Sequence, residues 1–240
     1  MNKVIKLLWF LLFPTCNSFS QTCVIGKIIG DAIYVGADSR LRYTLSTAGE
    51  DDAISYDSIC KIYSIGQFNF AVVGYASKQS IDCAMTACTT DTSFEDIIND
   101  YSTKFHSFLN KDIQAGEDVD FGKFPAFVAS HQPVLSQIVF FGVQGDSLFM
   151  EEVYTTLTTN DFLFDVNFYS LVTNSYAGGH IEDILSQLDD PQTWIGDPRE
   201  IIKSLIRKEI SLHPEEVGEP IVVIKVTTKK TEYLDKGICN

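Results

Sequence analysis

The chain has 240 residues, of which 45% are hydrophobic and 12% aromatic, so it can bury the core of a globular protein. Its 32 acidic residues outnumber 18 basic residues, which gives a formal net charge of −14. An acidic surface of this kind repels nucleic-acid phosphates and anionic lipid. We therefore expect no nucleic-acid partner.

The first twenty residues have the pattern of a secretory leader. Two lysines precede an apolar run over residues 7–13, and small residues, Ser18 and Ser20, stand at positions −3 and −1 of a cut after Ser20. The apolar run is too short to anchor the chain stably in a membrane. We expect residues 1–20 to be a signal peptide, residues 21–240 to form one domain, and the protein to be exported, either periplasmic or secreted.

Five cysteines follow the leader, at positions 23, 60, 83, 88 and 239. Export permits disulfides, but the number is odd and no C-x-x-C pair suggests zinc. The sequence therefore predicts that most of these cysteines are buried free thiols.

The first half of the domain begins with β-rich runs. Two hairpins are predicted over residues 24–38 and 59–74, with a polar, acidic loop over residues 41–58 between them. Apolar spacing then predicts one helix from Ala76 and a second that opens at Ser93, where an acidic residue three positions later forms a near capping box.

The second half repeats this order of strands and then helices. Strands are predicted over residues 124–130, 137–143, 148–155 and 168–173, and a break over 174–179. A short helix is predicted over residues 181–188. A well-marked helix follows the N-cap Asp197 and Pro198, and a closing hairpin lies over residues 220–234.

This segregated order predicts an α+β protein rather than alternating βαβ units. Two sheets packed face to face, each covered by one pair of helices, would bury the apolar faces of all these elements. The predicted fold is therefore a four-layer α-β-β-α sandwich.

Thr22 is the candidate nucleophile, because removal of the leader brings it close to a new chain end. A threonine hydroxyl alone is a poor nucleophile. At a free N-terminus it has its own base, the α-amine, whose pKa near neutrality suits proton abstraction.

The stretch Thr22-Cys-Val-Ile-Gly, a hairpin and then Gly36-Ala-Asp-Ser-Arg40 resembles the N-terminus of proteasome β-subunits. In that family the nucleophilic threonine begins the mature chain, and an aspartate follows sixteen positions later, as Asp38 does here. Lys61, at the start of a predicted strand, is similar to the family's catalytic lysine. Gly74, in the turn Val-Val-Gly-Tyr-Ala, resembles the glycine whose N–H helps to form the oxyanion hole.

Physical chemistry gives each residue a role in such a site. A lysine held by a carboxylate stays charged and lowers the proton affinity of a neighbouring hydroxyl, and a backbone N–H can bind an oxyanion. Singly, Asp38 is equally a turn carboxylate, Lys61 an edge-strand charge and Gly74 a turn glycine. Their joint register with Thr22 favours the catalytic interpretation.

The resemblance implies a proteasome-like N-terminal-nucleophile (Ntn) hydrolase. Its implied activity is that of a threonine protease or another amidase, made as a zymogen and acting on a peptide or other amide substrate, and homo-oligomers are common in the family. Supporting residues depart from the pattern. Pro214 and Val217 stand where the family has an aspartate and a serine, and a further serine is replaced within residues 177–180, unless Ser175 takes its place.

The alternative is an exported, non-catalytic proteasome-like protein with a structural, assembly or binding role. The missing supporting residues favour it, as does Gln21, which the best leader cut leaves ahead of Thr22. Cys23 is a competing nucleophile, although core packing is its expected role.

No cofactor and no metal is expected. The four histidines, at positions 106, 131, 180 and 213, match no ligand spacing such as H-E-x-x-H. The acidic groups at residues 50–52 and 117–120 lack the glycine and spacing of a calcium loop.

Overall fold

The computed structural model describes residues 22–47, 50–57, 59–76, 78–114, 134–160, 163–179, 181–237 and 239. The strands are β1 (Cys23–Ile29), β2 (Ala32–Ala37), β3 (Arg40–Thr47), β4 (Glu50–Asp57), β5 (Ile62–Ile65), β6 (Phe68–Ala76), β7 (Val134–Gln144), β8 (Ser147–Asn160), β9 (Leu163–Val172), β10 (Ser175–Gly179), β11 (Val222–Thr227) and β12 (Thr231–Asp235). The helices are α1 (Lys78–Thr90), α2 (Phe94–Gln114), α3 (Leu185–Leu188) and α4 (Pro198–Leu212), with a 3₁₀ turn at Pro191–Trp194.

Two five-stranded sheets organise the described residues. One has the order β10-β1-β2-β11-β12 and the other β5-β6-β7-β8-β9, while β3 and β4 form a separate hairpin. Their pairings are antiparallel. The first sheet joins the two ends of the domain, because β11 near the C-terminus pairs with β2.

The predicted four-layer α-β-β-α sandwich of an Ntn hydrolase is wrong for this structure. The described chain is mostly β, with two antiparallel five-stranded sheets and four short helices, and it is closer to a β-sandwich. The error came from underestimating the strands. The predicted loop over 41–58 contains the hairpin β3–β4, and the predicted break over 174–179 contains β10.

Three apolar clusters hold these elements together. The cluster between the two sheets includes Val35 and Ile224 from the first sheet and Val139 and Phe141 from the second. A second cluster packs α1 and α2 against β5–β9, with Tyr101 among its largest buried side chains. A third packs α3 and α4 against the first sheet.

Several local predictions are confirmed. The hairpins β1–β2, β5–β6 and β11–β12 form where predicted. Asp197 accepts a hydrogen bond from the backbone N–H of Arg199 and caps α4, which has Pro198 in its first turn. Ser93 accepts one from the N–H of Asp96.

Other local predictions fared differently. The helix expected over residues 181–188 is shorter, since the regular helix there is only α3. The strand expected over residues 124–130 and the signal peptide over residues 1–20 lie outside the described residues.

A disulfide joins Cys60 and Cys239, which are 179 positions apart in the sequence. Cys23, Cys83 and Cys88 are free thiols, but Cys83 is only partly buried. The prediction that most of the five are buried free thiols is therefore wrong, because only Cys23 and Cys88 fit it. The bridge was not predicted because Cys60, just ahead of β5, and Cys239, after β12, come together only when the two sheets pack face to face. A search of the described residues for a helix long and apolar enough to cross a membrane finds none.

Asp235 fastens the closing hairpin to α4. Its carboxylate accepts hydrogen bonds from Arg199 Nε and Nη2, each at 2.6 Å, and from Lys203 Nζ at 3.1 Å. These cations lower the pKa of Asp235 to about 2, with the Arg199 hydrogen bonds as the main cause. The carboxylate therefore stabilises the folded chain fully above its unfolded pKa of about 4, and this stabilisation is lost as pH falls through about 2.

We predict that Asp235→Asn lowers the free energy of unfolding by roughly 1–2 kcal/mol at pH 7, a figure reduced because Arg199 is partly exposed to solvent. The loss shrinks by about half at pH 3. Urea unfolding at both pH values measures it, with Asp146→Asn in the exposed β7–β8 turn as the control. An equal loss at both pH values would contradict this account.

Candidate functional site

Asp38 lies directly after β2, and its side chain is fully buried. Its Oδ1 accepts hydrogen bonds from Lys61 Nζ at 2.8 Å and from the N–H of Cys23 at 2.9 Å. Its Oδ2 accepts from the N–H of Arg40 at 3.0 Å and of Gly218 at 3.1 Å. One carboxylate thus joins its own segment, which includes Arg40, to three others, at Cys23, Lys61 and Gly218.

Backbone contacts reinforce this junction. The N–H of Asp38 donates to the carbonyl of Cys23 at 3.1 Å, and the N–H of Ser39 donates to the carbonyl of Gly218 at the same distance. The Ser39 hydroxyl donates to the carbonyl of Pro220 at 2.5 Å. The backbone around Asp38 is therefore fixed from both sides.

Lys61 lies immediately before β5 and is 4% exposed. Burial lowers the pKa of Lys61, while the charge and hydrogen bond of Asp38 oppose that effect. A buried lysine with a depressed pKa is closer to giving up its proton at neutral pH than a surface lysine.

Thr22 immediately precedes β1 and is 1% exposed. Within the described residues its Oγ1 has no hydrogen-bond partner. A buried hydroxyl in that state carries a free-energy penalty that calls for an explanation. Thr22 directly precedes Cys23 in the chain. The N–H of Cys23 and the Nζ of Lys61 both donate to Asp38 Oδ1.

Gly179, at the end of β10, allows the chain to pass close to Thr22. β10 pairs with β1 so that Gly179 lies opposite Cys23. A Cβ atom on Gly179 would lie 1.5 Å from the carbonyl oxygen of Thr22, and the residue has φ +86°. Both features require glycine there.

Gly74 lies in β6, at a point where the β6–β7 register shifts between Val72 and Ala76. The neighbouring residue, Val73, packs against Gly178 of β10. β6 therefore approaches the strand that borders Thr22. The role of the Gly74 N–H as an oxyanion donor stays a prediction.

The supporting residues depart from the family pattern as the sequence indicated. Pro214 is exposed, and Val217 is fully buried in the apolar cluster beneath α4. Ser175 lies opposite Lys27, several residues along β1 from Thr22. At that distance it cannot take the place of the family's further serine beside Thr22. The segment that contains Pro214 and Val217 contributes one group to the site, the backbone N–H of Gly218, which donates to Asp38.

Cys23 is unsuited to act as the nucleophile. It is fully buried, and burial, with the nearby charge of Asp38, raises the pKa of its thiol well above the usual value. The thiolate is the reactive form, so this thiol is inert at neutral pH. Packing in the core remains the role its environment supports.

Three features near the site were not found from the sequence. Ser39 lies within the Asp-Ser-Arg run but was given no role, and the Cys60–Cys239 disulfide adjoins Lys61. Glu209 on α4 is a fully buried carboxylate, and its charge contributes to the raised pKa of Cys23. Glu209 repeats the apolar spacing of α4, because Ile202, Leu205 and Ile206 precede it on the buried face.

The histidines lie away from this junction or outside the described residues. His106 on α2 contacts Asn110 and Phe168. His213 follows α4, and its Nε2 donates to Asp183 Oδ2, 3.1 Å away. His131 and His180 lie outside the described residues.

Comparison with known proteins adds no family assignment. The chain matches no family model, and no curated protein matches it significantly. Functional inference therefore depends on the chemistry of the site itself.

We predict that Asp38→Ala lowers the free energy of unfolding by roughly 3–5 kcal/mol, because it strands a buried lysine and three N–H groups. Lys61→Met costs less, roughly 1–3 kcal/mol, because three N–H donors still hold the carboxylate. Urea unfolding compares the two, with Asp31→Ala in the exposed β1–β2 turn as the control. Should Asp38→Ala not fold, Asp38→Asn replaces it. A larger loss for Lys61→Met than for the Asp38 variants would overturn this ranking.

Proposed function

We propose that this protein is an amide-bond hydrolase in which Thr22, exposed by processing, is the N-terminal nucleophile. The observation that carries the proposal is the buried Asp38–Lys61 ion pair, held one hydrogen bond from the amide that follows Thr22. Isolated buried ion pairs are weak contributors to stability, so their presence beside a candidate nucleophile favours a chemical role.

In the proposed reaction, Oγ1 of Thr22 attacks the carbonyl carbon of an amide, and the hydroxyl proton passes to the α-amine. Lys61, with its pKa lowered by burial, tunes that transfer, and Asp38 holds it in position. The negative charge that develops on the carbonyl oxygen goes to the N–H of Gly74. The leaving amine departs protonated, and water then hydrolyses the ester on Thr22.

The resemblance to proteasome β-subunits supports the proposal through residues alone. Thr22, Asp38, Lys61 and Gly74 stand in the register that the family uses, and the proposal does not rest on the fold. By the same resemblance we propose a peptide or another amide as the substrate and a homo-oligomer as the assembly. Export is proposed from the leader pattern of residues 1–20.

A non-catalytic, structural or binding role is the second candidate, and one observation favours it. Val217 is fully buried among apolar side chains where the family has a hydroxyl that supports the terminal amine. Without that hydroxyl, the amine has fewer partners to hold it in the orientation needed for proton transfer.

A peptide epoxyketone that reacts with N-terminal threonine separates the two candidates. We predict one adduct per chain on protein that begins at Thr22, detected by intact mass. Lys61→Met slows adduct formation by about 100-fold or more, because proton transfer is impaired.

Two matched variants control this experiment. Thr22→Val removes the hydroxyl while keeping the shape of the side chain and abolishes the adduct. Cys23→Ser keeps the adduct, which excludes alkylation of the neighbouring thiol. Absence of an adduct on folded wild-type chain beginning at Thr22 would refute the catalytic proposal in favour of the structural role.

A further inference from the structure

Three side chains with metal-binding atoms converge at the C-terminal end of α4. Glu209 and His213 are four positions apart, so they lie on the same face of the helix. Asp183, from the turn that precedes α3, reaches the same point. The metal-binding atoms of these three residues, the α4 cluster, all lie within 4.8 Å of one another.

The distances between these side-chain atoms suit a metal ion bound by all three residues. His213 Nε2 is 3.1 Å from Asp183 Oδ2 and 3.9 Å from Glu209 Oε2. Two ligands of a tetrahedral zinc ion, with metal–ligand bonds of about 2.0–2.1 Å, lie roughly 3.3 Å apart. A cation could therefore be accommodated by small side-chain movements, without moving the backbone.

The surroundings of the α4 cluster are those of a built site. Glu209 is fully buried, so its carboxylate offers ligand atoms that are shielded from bulk water. Glu216 Oε2 lies 3.9 Å from His213 Nδ1, where its negative charge adds to that of the cluster. Lys208 Nζ donates to the backbone carbonyl of Asp183 at 2.6 Å and holds that turn against α4.

We propose that Asp183, Glu209 and His213 bind one divalent transition-metal ion, with Zn²⁺ or Mn²⁺ as the chemical class. One imidazole nitrogen and two carboxylate oxygens form a ligand set that these ions accept, whereas the imidazole disfavours Ca²⁺ and Mg²⁺. Water completes the coordination on the exposed side, where Asp183 lies.

The ion has a structural task near Thr22. Asp183 follows β10, whose last residue, Gly179, packs on the carbonyl of Thr22. A cation shared by Asp183 and the α4 residues ties that segment to the helix. It also neutralises Glu209, which lies close enough to Cys23 to raise its pKa. The inference does not require Thr22 to be a nucleophile.

The competing arrangement is a protonated His213 held by the surrounding carboxylates. The hydrogen bond to Asp183 raises the pKa of His213, which favours that state in the absence of a metal. A proton and a metal ion compete for Nε2, since a ligating imidazole must be neutral. Direct titration with the ion decides between them.

Calorimetric titration of chelator-treated protein with Zn²⁺, and separately with Mn²⁺, tests the proposal at pH 7.5. We expect one ion per chain, and a rise in Tm of roughly 5–10 °C at a concentration one hundred times Kd. Asp183→Asn, at an exposed position that leaves the core intact, weakens binding at least about tenfold.

His213→Gln and Glu209→Gln weaken binding as much or more, because each replaces an imidazole or carboxylate ligand by a neutral amide. His106→Gln on α2 is the matched control and leaves the affinity unchanged. Lack of binding by wild-type protein would overturn the proposal. So would an unchanged affinity in His213→Gln, which would assign the ion to another site such as the Cys83 thiol.

Discussion

The carboxylate of Asp38 is the constraint on which the rest of the site depends. It is fully buried and accepts four hydrogen bonds, from Lys61 and from the backbone at Cys23, Arg40 and Gly218. The donors belong to β1, to the start of β3, to the residue before β5 and to the approach to β11. One side chain therefore fixes the place where these four parts of the chain meet. Burial of the ion pair costs desolvation energy, which those four contacts offset.

The same arrangement links stability to the proposed chemistry. Lys61 cannot leave Asp38 without exposing a buried charge, so its amine stays beside the start of β1. Burial lowers the pKa of Lys61, while the charge and the hydrogen bond of Asp38 oppose that effect. Thr22 is linked to this pair through the next residue, Cys23. Gly179 has no side chain, so it does not collide with the carbonyl of Thr22. The contacts that position these groups are thus the ones on which the proposed chemistry depends.

Local structure was predictable where a short pattern determines it. The Gly-Asp and Gly-Gln turns of the first hairpins, the Asp197–Pro198 start of α4 and the Ser93 cap all form as the sequence indicates. The polarity of residues 41–58 predicts a loop, whereas β3 and β4 pair there as a hairpin. Underestimating such strands produced the wrong four-layer prediction.

Long-range features were beyond sequence reasoning. Gly218 reaches Asp38 across 180 positions, and Cys60 meets Cys239 across 179. Asp183 meets Glu209 and His213 only because α3 and α4 pack on the same sheet. By contrast, the pairing of Asp38 with Lys61 was anticipated, because the resemblance placed both residues relative to Thr22.

The state of the N-terminus tests the central claim most directly. If Thr22 is the nucleophile, every molecule of a hydrolytically active sample that forms a covalent adduct begins at Thr22 and has lost Gln21. N-terminal sequencing and intact mass on the purified active form measure this. An active sample in which all chains begin with Gln21 or pyroglutamate would contradict the account, because Thr22 would then have no free amine to serve as its base.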